Sequence, residues 1–468
     1  MTRTAAPGQD ARQFAERLRS AIQQLRAAPR VHEWKSGMEY EVHLVQAVRD
    51  GDSYRSDHGF CVAPVAAEMI ALDPTIGKPD LGAWQLELAT APATVTGAYF
   101  SDLERQLTGW LQRLTEVGQQ VGAMPLFAPI PPTLRESDLR SGFLYPGTRY
   151  RKLDEFWTRA REEYVRRHGR PPALRGYVPT SINVSSAMAS CQTHIELPTD
   201  VAEAARMWNA ILAATAPVLT ACTGAPWLLN RNGLGEQWEQ RIGIWEVLDD
   251  LERGRVFFGP GWHTDVFQVF DIYAELPRHK LELTDSSDDL QNLKDHVGSI
   301  WPHVRLMPEV DCLHAEGRAF GTGAPVDVVA ASAFYVGLVY GILETYPDLE
   351  ERFDFRSACE NFHGAARNGL RTHLSWVGGR FQNSGELIVD ELLELSANGL
   401  RARGVDEADI SRYLRIIERR VVLKRTLAHW LYRARDLASG SFSTVTQRLL
   451  INQASGLPVH EWPEWKER

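Results

Sequence analysis

Residues 34–48 read WKSGMEYEVHLVQAV, and apolar and polar side chains alternate along them. Glu39 and Glu41 alternate with Met38 and Tyr40, and this period of two predicts a β-strand. The apolar residues then cover one face of the strand, while both carboxylates project from the other face. The sequence therefore places two acids side by side on one face of a strand.

Two neighbouring carboxylates on a strand repel each other unless something neutralises them. Water does so when the strand is exposed, and this is the first interpretation of the Glu39 and Glu41 pair. A Mg²⁺ ion is the second, because Mg²⁺ takes hard oxygen ligands and is often shared between carboxylates and substrate phosphates. The second interpretation requires more acids on neighbouring strands.

More acids lie between residues 80 and 89. Residues 84–89, WQLELA, alternate again and predict a strand, within which Glu87 is a lone carboxylate. Asp80 precedes Glu87 by seven residues, in a predicted turn that contains glycine. A carboxylate in an apolar strand is costly unless it is paired or bound to a metal. Asp80 and Glu87 are therefore candidate metal ligands.

Two later segments extend the same pattern. Residues 191–196, CQTHIE, place His194 and Glu196 on one face of a predicted strand. Glu316 and Arg318 also share a face, and an acid beside an arginine is the pairing expected where a metal meets a phosphate. Taken alone, His194 is better explained as a structural histidine with satisfied hydrogen bonds. Taken together, the acids on several short strands predict a metal cage on one surface.

The rest of the chain mixes helices with strands. Apolar residues at helical spacing predict an amphipathic helix over 11–28. Beyond Gly385 the pattern is helical, and Gly399 is a predicted helix stop. We therefore divide the chain into an N-terminal helix over 1–30, a catalytic domain over 31–385, and a helical C-terminal cap and tail over 386–468.

Composition limits the classes of partner. The chain has 468 residues, of which 44% are hydrophobic, and this is enough for a large core. Its 51 Lys and Arg residues face 60 Asp and Glu residues, so the net charge is −9. This charge disfavours sequence-blind binding to nucleic acid or anionic lipid. We therefore expect no nucleic-acid partner and no membrane partner.

Two uncharged stretches, 207–230 and 328–343, call for comparison with a bilayer-spanning helix. The first is interrupted by prolines and polar residues, and the second is shorter than the roughly 20 residues that span a bilayer. Both are therefore predicted to be buried core helices. The five cysteines show no paired spacing, and the first residues lack an apolar core. These features predict a cytoplasmic protein.

Several segments resemble, in their order along the chain, the glutamate–cysteine ligase superfamily, in the plant and bacterial branch that includes carboxylate–amine ligases. The resemblance covers roughly residues 36–435. The segments are GMEYE (37–41), WQLELATAP (84–92), GTRY (147–150), QTHIEL (192–197), RIGIW (241–245), WPHVRL (301–306), EGR (316–318), AARNGL (365–370) and NGLRARG (398–404).

The resemblance implies an α+β fold that is glutamine-synthetase-like: a curved, mainly antiparallel sheet forms a funnel, and helices pack outside it. It also implies ATP as co-substrate and Mg²⁺ ions that bridge the ATP phosphates. The metal ligands that the resemblance implies are four carboxylates and one imidazole: Glu39, Glu41, Glu87, His194 and Glu316. The residue pattern adds Asp80 to this set.

Roles for further residues follow from the same resemblance. Arg318 is expected to steady the transferring phosphoryl group, and with Glu316 and Glu87 it forms the expected catalytic set. The expected substrate-binding residues, which would grip the carboxylate of an amino acid, are Arg149, Arg241 and Trp245.

The implied reaction is ATP-dependent amide-bond formation. A substrate carboxylate attacks the terminal phosphate of ATP, an acyl phosphate forms, and an amine then displaces phosphate. The leading prediction is ligation of the side-chain carboxylate of glutamate to the amine of cysteine, as in glutathione biosynthesis. The alternatives are a ligase of the same family with another acid or amine, and a non-catalytic relative that binds a ligand. The expected partners are small amino-acid substrates, and the oligomeric state stays open.

The chain departs from the family pattern at several positions. The connection from Arg305 to Glu316 is longer than usual, and Gly317 stands where the family has a bulky apolar residue. Glu196 and His194 occupy positions where the plant branch has Asn and Gln. These departures are compatible with the ATP and metal chemistry, but they leave the identity of the amino-acid substrates open.

Overall fold

The computed structural model describes residues 9–48, 59–173, 177–229, 238–252, 258–276, 287–309 and 311–466. Within them the strands are β1 (Lys35–Ala47), β2 (Phe60–Val62), β3 (Lys78–Pro79), β4 (Gln85–Ala89), β5 (Ala93–Thr94), β6 (Met124–Leu126), β7 (Cys191–Glu196), β8 (Val304–Pro308), β9 (Leu313–Gly317), β10 (His373–Trp376) and β11 (Arg380–Asn383).

The helices of the described residues follow the same chain order. They are α1 (Gln9–Ala27), α2 (Ala66–Leu72), α3 (Tyr99–Val121), α4 (Thr148–His168), α5 (Val201–Cys222), α6 (Gln240–Glu252), α7 (Phe267–Glu275), α8 (Asp289–Val297), α9 (Pro325–Thr345), α10 (Leu349–Arg352), α11 (Phe355–Asn368), α12 (Ser384–Leu387), α13 (Leu393–Ala402), α14 (Glu407–Val422), α15 (Leu427–Leu437) and α16 (Phe442–Gln453).

Strand β1 is the centre of the main sheet. It pairs with β4 and β7 on its two sides, and the order across the sheet is β3-β4-β1-β7-β9-β8, with β2, β5 and β6 also paired to β1. Every pair among these strands is antiparallel. The predicted mixed, mainly antiparallel architecture is confirmed, with helices packed against a curled sheet.

The two faces of this sheet differ in chemistry. On β1, Met38, Tyr40 and Val42 are buried in the core, whereas the intervening Glu39 is half-buried and faces a cavity. The pleat continues across the sheet because the strands are in register. One face therefore packs apolar side chains against helices, and the opposite face carries the polar residues.

Helix α9 is the central helix of the core. It is the one described helix long and apolar enough to span a bilayer, but 94% of its apolar window is buried inside the protein. The prediction of a buried core helix over 328–343 is confirmed, and the helix is longer than that stretch. The other stretch forms most of α5, which is also buried and contains Pro217.

Gly399 is not the helix stop that the sequence predicts. It lies inside α13, where a Cβ atom would meet the carbonyl oxygen of Gly337 on α9 at 2.2 Å. A Cβ on Gly341 would likewise meet the carbonyl oxygen of Leu395 at 2.1 Å. These glycines are therefore packing residues: they let the backbones of α9 and α13 approach closely, which larger side chains prevent.

The predicted N-terminal helix is confirmed as α1, which buries Phe14, Leu18, Ile22 and Leu25. Residues 386–466 are largely helical, and α13 and α14 pack against α9. All five cysteines are free thiols. The absence of a disulfide agrees with their irregular spacing.

Candidate active site

Strand register brings the predicted acids together. Glu41 on β1 lies directly opposite Glu87 on β4, and His194 on β7 lies directly opposite Glu316 on β9. Directly opposed residues in an antiparallel pair have Cβ atoms roughly 5 Å apart and point to the same face. The predicted convergence of the acids on one surface is thus a consequence of this pairing.

Four carboxylates form what we call the acid cluster: Glu39, Glu41, Asp80 and Glu87. They all line one cavity. Burial raises the pKa of each of them. Neighbouring charges add to the effect: burial and then Asp80 raise the pKa of Glu41 to about 7, and burial and then Glu39 raise that of Glu87 well above its usual value. The cluster therefore holds negative charges that repel one another.

The acid cluster fits the requirements of Mg²⁺. Its side chains offer only carboxylate oxygens, the hard ligands that Mg²⁺ prefers. A divalent cation among them would remove the repulsion that raises their pKa values. Glu39, Glu41, Asp80 and Glu87 are therefore candidate ligands for Mg²⁺.

Glu41 is fixed by hydrogen bonds to both of its oxygens. Oε2 accepts from the backbone N–H of Ser190 at 2.5 Å, and Oε1 accepts from Nε2 of Gln192 at 2.8 Å. The Gln192 Oε1 in turn accepts a hydrogen bond from Nη1 of Arg318. Gln192, whose role was not predicted from the sequence, therefore links the acid cluster to the predicted phosphoryl-binding arginine.

Glu316 lies between two arginines. Its Oε2 is 2.8 Å from Nε of Arg305 and 3.0 Å from Nη1 of Arg318. These guanidinium groups hold the pKa of Glu316 well below its usual range, although burial opposes them. Arg305 lies directly opposite Glu316 in the β8–β9 pair. The long connection from Arg305 to Glu316 is therefore an antiparallel pair of strands that sets these two side chains face to face.

An additional histidine, His314, joins His194 and Glu316. One ligand atom from each of the three lies within 4.8 Å of the others. Burial lowers the pKa of His314 to about 4 and lowers that of His194 as well, so both rings are neutral at neutral pH. His314 precedes Glu316 by two residues, so strand alternation would have placed both on one face. His314 is therefore a site residue that was not predicted, although the two-residue spacing could have indicated it.

Glu196 lies on the same strand face as His194 but has a different environment. Its Oε2 accepts hydrogen bonds from the backbone N–H groups of Glu33 at 2.8 Å and Lys35 at 3.0 Å. Glu196 therefore anchors the start of β1.

Gly317 is explained by the helix behind the sheet. A Cβ atom at this position would meet Cε1 of Tyr335, on α9, at 2.5 Å. The Tyr335 hydroxyl is hydrogen-bonded with Thr215 at 3.0 Å, which holds the ring in place. The tyrosine thus fills the space that the family's bulky apolar residue would need.

Two cavities meet at Glu39, which lines both. The first has a volume of about 410 Å³ and contains the acid cluster with Arg318, Trp245 and Trp301. The second has a volume of about 450 Å³ and contains His194, His314 and Glu316. We call them the acid-cluster cavity and the histidine cavity.

The three predicted substrate-binding residues all line the acid-cluster cavity. Arg149 is exposed in the first turn of α4. Arg241 is only 1% exposed and is paired, since its Nε lies 2.8 Å from Glu239 and its Nη2 donates to the carbonyl oxygen of Ala319 at 2.6 Å. Trp245 stacks on Trp301, with ring centroids 6.3 Å apart.

No family model and no curated protein matches the sequence. Solved structures do match the fold. A glutamate–cysteine ligase of Francisella tularensis, in complex with AMP, superposes with a TM-score of 0.56 over 91% of this chain and 90% of that chain, at 12% identity. A bifunctional glutathione synthetase of Pasteurella multocida gives a TM-score of 0.50 at 12% identity, and the match covers 94% of this chain but only 54% of that one.

The two superpositions confirm, for the fold, the resemblance that the motifs indicated. The chain has the α+β fold of the glutamate–cysteine ligase structure along nearly its whole length. The funnel shape stays a prediction.

Proposed function

We propose that this chain, which shares the fold of a glutamate–cysteine ligase, is an ATP- and Mg²⁺-dependent carboxylate–amine ligase. One observation carries the proposal: four mutually repelling carboxylates line one cavity beside a fixed arginine, and one of them, Glu39, also lines the second cavity. Binding of a divalent cation relieves such repulsion, and a phosphoryl group needs both cations and a guanidinium around it.

The two cavities suit different substrates. The histidine cavity has apolar walls at Val31 and Met307 and carboxylates at Glu33 and Glu309, which suit an adenine ring and ribose hydroxyl groups. The acid-cluster cavity contains Arg149 and Arg318 and suits the substrate acid. We therefore assign the nucleotide to the first and the amino-acid substrates to the second.

The residues of this chain then have distinct tasks. Mg²⁺, when bound, offsets charge on the phosphoryl oxygens. The Arg318 side chain donates two hydrogen bonds to described residues, one to Gln192 and one to Glu316, and both come from Nη1. The guanidinium is therefore held in position before substrate arrives. A guanidinium placed in advance stabilises the charge on the transferring phosphoryl group without reorganisation. The acyl phosphate formed in this way is open to attack by an amine.

We propose glutamate and cysteine as the leading substrates, with a second candidate favoured by the walls of the cavity. The guanidinium of Arg241 is already paired with Glu239, and Trp245 and Trp301 form an aromatic wall. These features suit a bulkier acid or amine and support a ligase of the same kind with different substrates. In either case we propose a cytoplasmic enzyme without nucleic-acid or membrane partners.

Phosphate release across a matrix of amino-acid pairs, with the product mass determined, tests both candidates. We expect ATP- and Mg²⁺-dependent formation of ADP, phosphate and an amide with one pair of substrates. Glu87→Gln should abolish turnover, whereas Glu360→Gln, which removes an exposed acid on α11, should leave it unchanged. Turnover with another pair but none with glutamate and cysteine would select the second candidate. Absence of Mg²⁺-dependent ADP with every pair would contradict both.

A further inference from the structure

His303 lines the acid-cluster cavity, and the proposed function gives it no task. The pairing of β8 with β9 continues to this residue, because the backbone N–H of Arg318 donates to the carbonyl oxygen of His303 at 2.9 Å. In this register His303 lies opposite Arg318, just as Arg305 lies opposite Glu316. Strand alternation therefore directs the side chains of His303 and Arg305 to the same face of the sheet.

Packing holds the ring of His303 in place. The residue is only 4% exposed, and its ring packs on Phe362 of α11 with ring centroids 4.7 Å apart. Neither ring nitrogen has a hydrogen-bond partner among the residues that the structure describes. Burial is the main cause that lowers the pKa of His303 to about 3, so the ring is neutral at neutral pH. A neutral imidazole has one nitrogen that can accept a proton.

The other ionisable groups in this cavity are poorly suited to accept a proton. The carboxylates of the acid cluster are the candidate ligands for Mg²⁺, and a bound cation would occupy their lone pairs. Burial raises the pKa of the Tyr150 hydroxyl, which therefore keeps its proton. His303 is thus the one neutral nitrogen base among the described lining residues. The remaining groups are cations that already carry their protons: Lys78, Arg149, Arg241, Arg305 and Arg318.

The second step of the proposed reaction, on which this inference rests, requires a proton acceptor. The nitrogen of the amine forms a bond to the acyl carbon, and the bond from that carbon to the phosphate oxygen breaks. An amine that enters as an ammonium ion loses two protons in this step. One leaves with phosphate as hydrogen phosphate, and the other must be taken up by a base.

We propose that His303 is the general base that accepts this proton from the amine substrate. In the proposed reaction Arg318 holds the phosphoryl group that the amine displaces, so a side chain opposite Arg318 lies next to the carbon under attack. The negative charge of the acyl phosphate would also offset Arg241 and Arg318, two cations that help to lower the pKa of His303. The ring therefore becomes a stronger base once the acid is activated.

Hydroxylamine tests this role, because it is mostly unprotonated at neutral pH and attacks acyl phosphates without the help of a base. With the substrate pair that the wild type turns over, His303→Asn should lower amide formation by about 100-fold or more, the usual contribution of a general base. Hydroxamate formation from the same acid, ATP and hydroxylamine should stay nearly unchanged. His373→Asn, on the separate strand β10, is the matched control and should keep both reactions.

Full amide formation by His303→Asn, or equal losses of amide and hydroxamate in a folded variant, would overturn the proposal. A wild type that forms neither ADP nor hydroxamate would instead contradict the proposed function itself. If the variant does not fold, a crystal structure of the wild type with acid, amine and a non-hydrolysable ATP analogue decides. We expect a ring nitrogen of His303 within roughly 2.6–3.2 Å of the amine nitrogen, and an amine bound beyond hydrogen-bond reach would overturn the assignment.

Discussion

Gln192 joins the two halves of the proposed catalytic centre through its side-chain amide. Its nitrogen donates to Glu41, and its oxygen accepts from Arg318. An amide is suited to this position because it has one donor and one acceptor end, whereas a carboxylate or an ammonium has only one kind. The position of Arg318 therefore depends on a residue that need not touch a substrate.

Replacement of Gln192 by leucine should lower kcat more than it raises KM for the amino-acid substrates. Leucine keeps the volume but removes both hydrogen bonds, so Arg318 loses one of its two side-chain contacts. Loss of one fixed donor to a transition state costs about 100- to 1,000-fold, and loss of its support should cost roughly 10-fold or more. Steady-state kinetics measure this effect. An unchanged kcat would show that Gln192 does not position Arg318.

Glu41 predicts a pH dependence of stability. Its pKa is raised by burial, then by Asp80, from 4.5 to about 7 in the folded state, so the folded protein keeps this proton after the unfolded chain has lost it. The folded state therefore binds more protons in this window, and the contribution of Glu41 to stability falls as pH rises from 4.5 to about 7. The loss is on the order of 3 kcal/mol.

Unfolding of metal-free wild type and Glu41→Gln across this pH range isolates the effect. The difference in unfolding free energy should shift in favour of Glu41→Gln as pH rises, and added Mg²⁺ should reduce that shift. The comparison is needed because buried histidines such as His303, whose pKa burial lowers to about 3, act in the opposite direction in both proteins. A difference that is constant with pH would contradict the raised pKa.

At the scale of elements, strand alternation allowed most of the acid cluster to be predicted. Glu39, Glu41 and Glu87 alternate with apolar neighbours along their strands. This period of two is enough to place the acids of one strand on the same face. The pairing of β8 with β9 could not be predicted in this way, because register depends on contacts between distant segments. The role of Arg305 opposite Glu316 was therefore visible only in the structure.

Gly399 is a residue whose role the sequence pattern predicts wrongly. Glycine at the end of an apolar helical pattern usually marks a helix end, because it adopts positive φ without strain. Here the glycine is required by the backbone of α9, which lies too close for a Cβ atom. Only the packing of α13 on α9 distinguishes these two uses of glycine.

Gly341→Ala and Gly109→Ala should have opposite effects on stability. A Cβ at Gly341 would lie 2.1 Å from the carbonyl oxygen of Leu395, so α9 and α13 would have to separate, at a cost of about 2 kcal/mol or more. A Cβ at Gly109, exposed on α3, meets nothing within 4 Å and should stabilise the helix by about 0.5–1 kcal/mol. Denaturant unfolding measures both, and equal effects would refute the close approach.

At the scale of the whole molecule, a net charge of −9 and the acid cluster both disfavour an anionic nucleotide in the absence of cations. We therefore expect nucleotide binding to depend on Mg²⁺. Arg305 and Arg318 are both engaged with Glu316, so their charge is already partly compensated. A cation is required before phosphates and carboxylates can share the same space.

Thermal unfolding should show this coupling. Mg²⁺ and ATP together should stabilise the wild type by about 2.7 kcal/mol at 100 times the dissociation constant, and ATP alone should not. Glu87→Gln should raise the melting temperature of the metal-free protein, because it removes a buried acid whose pKa burial and Glu39 raise. The same variant should lose the stabilisation by Mg²⁺ and ATP. Equal stabilisation by ATP with and without Mg²⁺ would contradict the coupling.

The most direct measurement is a crystal structure with Mn²⁺ in place of Mg²⁺ and a non-hydrolysable ATP analogue, since Mn²⁺ is located by its anomalous scattering. We expect metal density among Glu39, Glu41, Asp80 and Glu87, with the terminal phosphate of the analogue beside Arg318. Metal and nucleotide bound elsewhere, with these four carboxylates in contact only with water, would contradict it.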